Sequence, residues 1–578
     1  MTSSDTIARG EVPNLPTDPE IFATSPWEPV QGAFRALAAA KLDASTLSAW
    51  LDDWTRLHAL IDETYNVLAV AAACDTENTE KEKRYQQYVE RIQLPAQAEA
   101  DALKRKLVES GLAPEGFTVP LRQMRADIEI FREANQPLKV KEHELRQRYR
   151  KITGAQMVEW DGERKTVAQL GPVLQETDRA RREAAWRAQM TRWLQDRDAI
   201  DALWAEFLDV RLPMAANAGF ANYRDYAWKV MGRFDYSPAD CAAFRDAIEQ
   251  TVVPAARRIY AKRRARLGVD RLRPWDLNVE IRGSEPLRPF ANGTQLEERA
   301  ATIFERLDPV LGGYFGAMRA EGLLDLENRE GKAPGGFCTG FDQRRRPFIL
   351  MNAVGIHNDV QTMLHEAGHA FHAFEVYRLP HHQRWAAPME FCEVASMSME
   401  LLAAPCLSAP GAFYSDADAA RARIEHLEEI VLFWPYMAVV DAFQHWVYEH
   451  PADARDARRC DAMWAGLWAR FMDGVDWTDL ETEAATGWHR KLHIHLYPFY
   501  YVEYGLAQLG AVQVFGNSLA DPTRALAGYK RALAIGAGTL PELFAAADVK
   551  FAFDARTLGA AVNLVEQAMD SLEGAASV

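Results

Sequence analysis

The stretch VQTMLHEAGHAFHA at residues 360–373 sets His365 and His369 four apart around Glu366. On a helix turning about 100° per residue, the two imidazoles stand one turn apart on one face. Both can then reach a single tetrahedral Zn2+. Glu366 lies beside it, where it can hold and deprotonate a zinc-bound water. A chain with 14 His and 82 acidic residues in 578 positions shows this pattern by accident in about one case in 40. The surroundings therefore have to decide.

A catalytic zinc needs a third protein ligand and an open fourth position. The next acidic stretch, PMEFCEVASMSME at 388–400, has a helical period and offers Glu390, Glu393 and Glu400 along one stripe with Met397. Spacing alone leaves all three open. His372 falls about 20° from His365 around the helix. Three ligands in line along one helix converge poorly on one ion, so His372 reads as a supporting or substrate-contacting residue. His381 and His382 follow Pro380 in a loop and read as surface residues.

Outward from this segment, helical signals dominate. Residues 31–74 are rich in Ala, Leu and Trp. Residues 79–111 are strong helix formers with a break expected at Pro95 and a stop at Gly111. Arg122–Thr153 is a charged helical stretch interrupted at Pro137, and a helical pattern over 171–211 should end near Pro213. At Met157–Val167, Asp161-Gly162 between strand-like runs predicts a hairpin. Residues 273–300 form a Pro/Gly-rich connector, and 333–354 read as two short strands around a basic turn at Arg344–Arg346. The fold class is mainly α, with a small β element just upstream of the zinc-binding helix.

The net charge of −16 argues against nucleic acid or anionic membrane as the main partner, since both need a basic footprint. With 48% apolar and 26% charged residues, the composition excludes intrinsic disorder. Six dispersed cysteines without a CxxC pair suggest neither a disulfide framework nor a thiolate zinc site. The start, MTSSDTIARGEVPNLP, carries no signal-peptide pattern, and runs such as Val67–Cys74 and Ile430–Val440 are too short to span a bilayer. A soluble, cytoplasmic protein is expected.

Several motifs in fixed order make the chain resemble the oligoendopeptidase F branch of the thimet oligopeptidase-like zinc metallopeptidases. They are EWDGERKTVAQL, AGFANYRDYAWKVMGRFDYSPADCAAFR at 218–245, RPWDLNV, GGFCTGFDQRRRPFILMN, HEAGHAFH, FCEVASMSMELL and HIHLYPFYYVEYG at 493–505. The likeness runs from about Met157 onward. It implies His365, His369 and Glu393 as ligands of one Zn2+ per chain, with Glu366 as the base. It implies an elongated multi-helix body with a deep central channel, the zinc at its floor. A helical N-terminal lobe (1–150) would precede a catalytic domain (151–578). The strand around Gly335–Cys338 would pair its edge with extended substrate.

The family pattern also places oxyanion donors at His493, Tyr500 and Tyr504. His495 competes with His493, and a tyrosine of the thimet-like relatives is replaced by Ala507. Tyr497 and Phe499 read as mainly structural. The function so implied is a zinc-dependent metalloendopeptidase hydrolysing short unstructured oligopeptides. An exopeptidase of the dipeptidyl carboxypeptidase type is the alternative; it needs a fixed cation for the terminal carboxylate, with Arg490 and Lys491 among the basic residues available. A non-catalytic peptide binder would have no use for Glu366. Oligopeptides are the expected partners, nucleic acid and membranes are not, and a monomer and a homo-oligomer read alike.

Overall fold

The computed structural model describes residues 15–281, 285–329, 331–333 and 335–576. Most of the N-terminal stretch read for a targeting signal lies outside them, as do 282–284 of the connector and 334 before the paired strands. The described residues form 24 α-helices and five short strands, the mainly α fold expected. Among them no helix is long and apolar enough to cross a membrane. All six cysteines are free thiols.

The chain folds into two units that interleave along the sequence. The first comprises 1–129, 288–419 and 510–551. One core in it is built from N-terminal helices, where Phe22, Trp50, Trp54, Leu103 and Phe117 are buried together. Beside the helix that carries His365 and His369 lies a three-stranded sheet of order β3–β5–β4. With the hairpin strands of the second unit counted as β1 and β2, β3 is Leu324–Glu327, β4 is Phe337–Phe341 and β5 is Arg346–Ala353. The two strands around Arg344–Arg346 pair antiparallel as expected, from Phe337 opposite Leu350 to Phe341 opposite Arg346. β3, which the sequence reading missed, adds parallel to β5 and makes it the central strand. Ile349 and Leu350 are accordingly fully buried.

Helix His357–Val376 follows β5 after a tight turn. The Asp359 carboxylate accepts the backbone N–H groups of Val354, Gly355 and Ile356, which ties the strand end to the helix start. Helix Met389–Ala403 packs beside it. Their approach is close at Gly368, where a Cβ would stand 2.6 Å from Ser396 Cα and 2.7 Å from the Ala395 carbonyl oxygen.

The second unit comprises 130–287, 420–509 and 552–578. Its hairpin, β1 (Met157–Trp160) with β2 (Glu163–Thr166), turns at Asp161 and Gly162, both with positive φ, as a type I′ turn requires. Arg211 is fully buried and is satisfied by Glu142, Tyr448 and the His495 carbonyl.

Three proline readings need correction. Pro95 does not break the chain into separate helices. A π-helical turn at Val89–Gln93 passes directly into helix Leu94–Glu109, and Pro95 sits in its first turn, where no N–H donor is needed. Pro137 likewise opens helix Gln136–Gly154, and the interruption falls earlier, after Ile130. Pro213 lies inside helix Arg197–Asn217, held there by the burial of Val210, Arg211, Met214 and Ala215 around it. The stop near Gly111 is as expected: the helix ends at Glu109, and Gly111 takes φ +69°.

Candidate metal centre

The helical spacing of His365 and His369 brings the two rings within 4.9 Å, nearly perpendicular. Among the three acids of the neighbouring helix, Glu393 faces them. Its Oε2 lies 3.4 Å from His365 Nε2 and 3.8 Å from His369 Nε2. Two ligand atoms on a tetrahedral zinc, each about 2.0–2.1 Å from it, are separated by roughly 3.4 Å. The three donors therefore fit one such ion with little adjustment. Ser396 steadies the carboxylate by donating its hydroxyl to Glu393 Oε2 at 3.3 Å.

Glu400, also on the acidic stripe, meets the other nitrogen of His365. Nδ1 donates to Glu400 Oε1 at 2.6 Å. That bond places a proton on Nδ1, so Nε2 is the nitrogen turned toward Glu393. Burial opposes the charged imidazole, but the hydrogen bonds and charges of Glu393 and Glu400 outweigh it and hold His365 well above its usual range. The site thus attracts a cation. Burial and the positive His365 bring His369 down to about 4, so it offers a neutral ligand.

Glu366 is 7% exposed. Burial, reinforced by Glu393 and Glu400 and opposed by His365, pushes its carboxyl up to about 7. It also accepts the backbone N–H of Cys338 on β4. β4 is the last strand of its sheet. Toward its far end, Asn66 from helix Leu47–Ala73 donates to the Gly340 carbonyl, while Glu366 engages the near end.

His372 is 5% exposed, packs edge-on against Phe391, and is brought by burial down to about 3. It is a neutral histidine of the packed interior. His381 and His382 are not surface residues. His382 stacks on His58 at 4.0 Å, meets Trp54 edge-on and hydrogen-bonds Thr55 Oγ1, so the loop after Pro380 folds back on helix Leu47–Ala73. Apolar helix faces left uncovered by neighbouring helices draw such loops down.

The residues expected to stabilise an oxyanion lie in the second unit. The His493 ring stands 5.9 Å from that of Tyr500 and 5.8 Å from that of Tyr504, and those two tyrosines are 5.3 Å apart. The three form one cluster. His495 is fully buried, stacked on Tyr149 and Trp488 and met edge-on by Trp204. It is a core residue, and His493 is the one that joins the tyrosines. Phe499 is fully buried at φ +67°, with its carbonyl held by Arg233 and its N–H by Gln444, which gives it the structural part expected. Tyr497, 40% exposed, instead accepts from Arg150 at the surface.

Two further groups of metal-binding side chains occur among the described residues, Cys241 with Asp441 and His445, and His58 with Asp62 and Asp342. In the first, Arg245 already pairs with Asp441. Neither combines two imidazoles with a carboxylate and an adjacent base.

A mainly helical fold with paired histidines, a facing glutamate and a further buried glutamate between the histidines in sequence is that of a metallopeptidase. The profile of peptidase family M3 matches residues 173–558, and the chain belongs to that family. The fold is similar to a structure provisionally assigned as oligoendopeptidase F, with a TM-score of 0.87 and 27% identity over 95% of this chain and 97% of that one. PZ peptidase A, solved with an inhibitor, is similar at 0.87 and 26% over 94% and 97%. A further structure of the oligoendopeptidase F type, from Bacillus anthracis str. Ames, shares the fold at 0.82 and 24% over 94% and 96%. No curated protein matches the chain.

Proposed function

We propose that the protein is a zinc-dependent endopeptidase acting on short, unstructured oligopeptides. The observation that supports this most is the convergence of His365, His369 and Glu393 donors within 4.8 Å of one another, with Glu366 buried beside them. The two-nitrogen, one-oxygen donor set suits zinc. Held by those three side chains, Zn2+ supplies a Lewis acid that polarises the scissile carbonyl and acidifies the attacking water.

The protein's own groups do the rest. Glu366, with an affinity for protons near neutrality, takes one from the attacking water and returns it to the leaving amine. Glu400 keeps the Nδ1 proton of His365 in place, so the ring cannot turn its lone pair away. His493, Tyr500 and Tyr504 are assigned as the donors that stabilise the developing oxyanion. The outer edge of β4, the last strand of its sheet, is assigned to the extended backbone of the substrate. The soluble, cytoplasmic setting expected from the sequence belongs to the same reading.

The test is a Glu366→Gln variant assayed with a quenched peptide blocked at both ends. It should retain one zinc per chain while cleavage falls about 10²–10⁴-fold, the usual worth of a general base. Cleavage at the parent rate by zinc-loaded variant would refute the assignment. Loss of zinc together with activity would instead identify Glu366 as a ligand.

A further inference from the structure

Among the described residues, Lys491 is a cation with no carboxylate beside it. It stands two residues before His493, and its Nζ lies 4.0 Å from the centre of the Tyr501 ring and 5.5 Å from that of Tyr436. Those rings are 5.9 Å apart and perpendicular, so they form a corner around the ammonium. The Tyr501 ring is in turn 5.0 Å from that of His493. Burial alone brings it down to about 8, with no charged neighbour acting on it.

Its chain neighbour Arg490 differs. That guanidinium donates to the Glu483 carbonyl and has the Glu483 charge nearby. Arg490 is therefore fixed by the fold, whereas the ammonium of Lys491 has aromatic faces and no carboxylate against it among the described residues. Aromatic faces compensate a desolvated cation only in part. A carboxylate does so far better, through a charge-assisted hydrogen bond. Lysine is also the side chain that keeps such a position adaptable, since it presents a point charge on a flexible stem.

We propose that Lys491 binds a carboxylate of the peptide substrate, either the C-terminal carboxylate or an Asp or Glu side chain, and so selects peptides carrying one near the cleaved bond. This rests on the peptidase reading above. It makes Lys491 a specificity-determining residue, while Arg490 has a structural part.

The experiment compares the zinc-loaded protein on matched quenched peptides. One has a free C-terminal carboxylate and one a C-terminal amide. A second pair, both amidated, differs by Asp against Asn at a single position, scanned on either side of the cleaved bond. The expected result is kcat/KM about tenfold or more higher for the carboxylate member of one pair, mostly through KM. Lys491→Met should bring that ratio close to one, and Lys491→Arg should restore most of it. The pair that responds identifies which carboxylate is bound.

A second measurement needs no variant. In the parent protein the preference should decline as pH rises beyond about 8 and the ammonium loses its proton. Equal cleavage of both members of every pair, with no pH-dependent preference, would overturn the proposal while leaving the peptidase reading intact. A zinc-loaded protein that cleaves none of the peptides would overturn both. A preference that survives Lys491→Met in a folded, zinc-bound variant would assign the carboxylate to another cation.

Discussion

Removing the charge of Glu400 should weaken zinc binding without removing any zinc ligand. Its Oε1 accepts from His365 Nδ1 at 2.6 Å, and both side chains are largely enclosed, at 14% and 23% exposure. A hydrogen bond to a charged group in such surroundings contributes about 1.5–3 kcal/mol. At about 1.4 kcal/mol per factor of ten, that is roughly 10–100-fold in affinity. The same range is typical for groups that orient a metal-binding histidine. Glu400→Gln keeps the shape and an acceptor oxygen but loses the charge, so about tenfold is expected. Glu400→Ala, which frees the ring as well, should approach a hundredfold.

Protons complicate the measurement in a way that can be used. Glu400 and Glu393 also raise the proton affinity of His365, so zinc must displace a proton from it at neutral pH. Without the charge of Glu400 that competition weakens, which offsets part of the lost attraction. The ratio of parent to variant affinity should therefore be smaller at pH 6.5 than at pH 8.5, where the competing proton matters less. Competition with a chelator of known affinity measures both values. Parent and Glu400→Gln affinities within twofold of each other at pH 8.5 would refute the orienting role.

Two other outcomes follow from the same geometry. Gly368→Ala forces a Cβ to within 2.6 Å of Ser396 Cα, so helices His357–Val376 and Met389–Ala403 must separate; the cost is about 1–3 kcal/mol, read as a lower denaturation midpoint together with weaker zinc binding, because the ligands ride on both helices. Glu366 must be ionised to act as a base, and its carboxyl is pushed up to about 7 by burial. A bound dication favours the ionised form, so kcat/KM should rise with pH along a limb centred at or below about 7; a rate that falls between pH 5 and 7 would contradict the assignment.

How much of this was legible without coordinates depends on how local each feature is. The His365–His369 pair and its glutamate follow from helical periodicity over five residues, and the Asp161-Gly162 hairpin from the backbone demands of one turn. Glu393 and Glu400 are a different case. They lie seven apart on one stripe, so both reach the histidines, and periodicity cannot tell them apart. What separates them is how the two helices pack, which puts one carboxylate before Nε2 and the other behind Nδ1. That packing is close at Gly368. A glycine between the ligands is plain in the sequence, but its reason, contact with the backbone at Ala395 and Ser396, is not. The same distinction explains Pro213, whose local preference to end a helix is overridden by burial of its neighbours. It also explains the His381-His382 loop, a surface segment by sequence that packs on a helix more than 300 positions away. Lys491 falls between the two. By sequence it stands with Arg490 among the basic residues available, and only the Glu483 contact of Arg490 and the aromatic corner around Nζ set the two apart. The chemistry of each group is thus written locally, while its part in the site is assigned by whatever the fold brings, or fails to bring, to its free end.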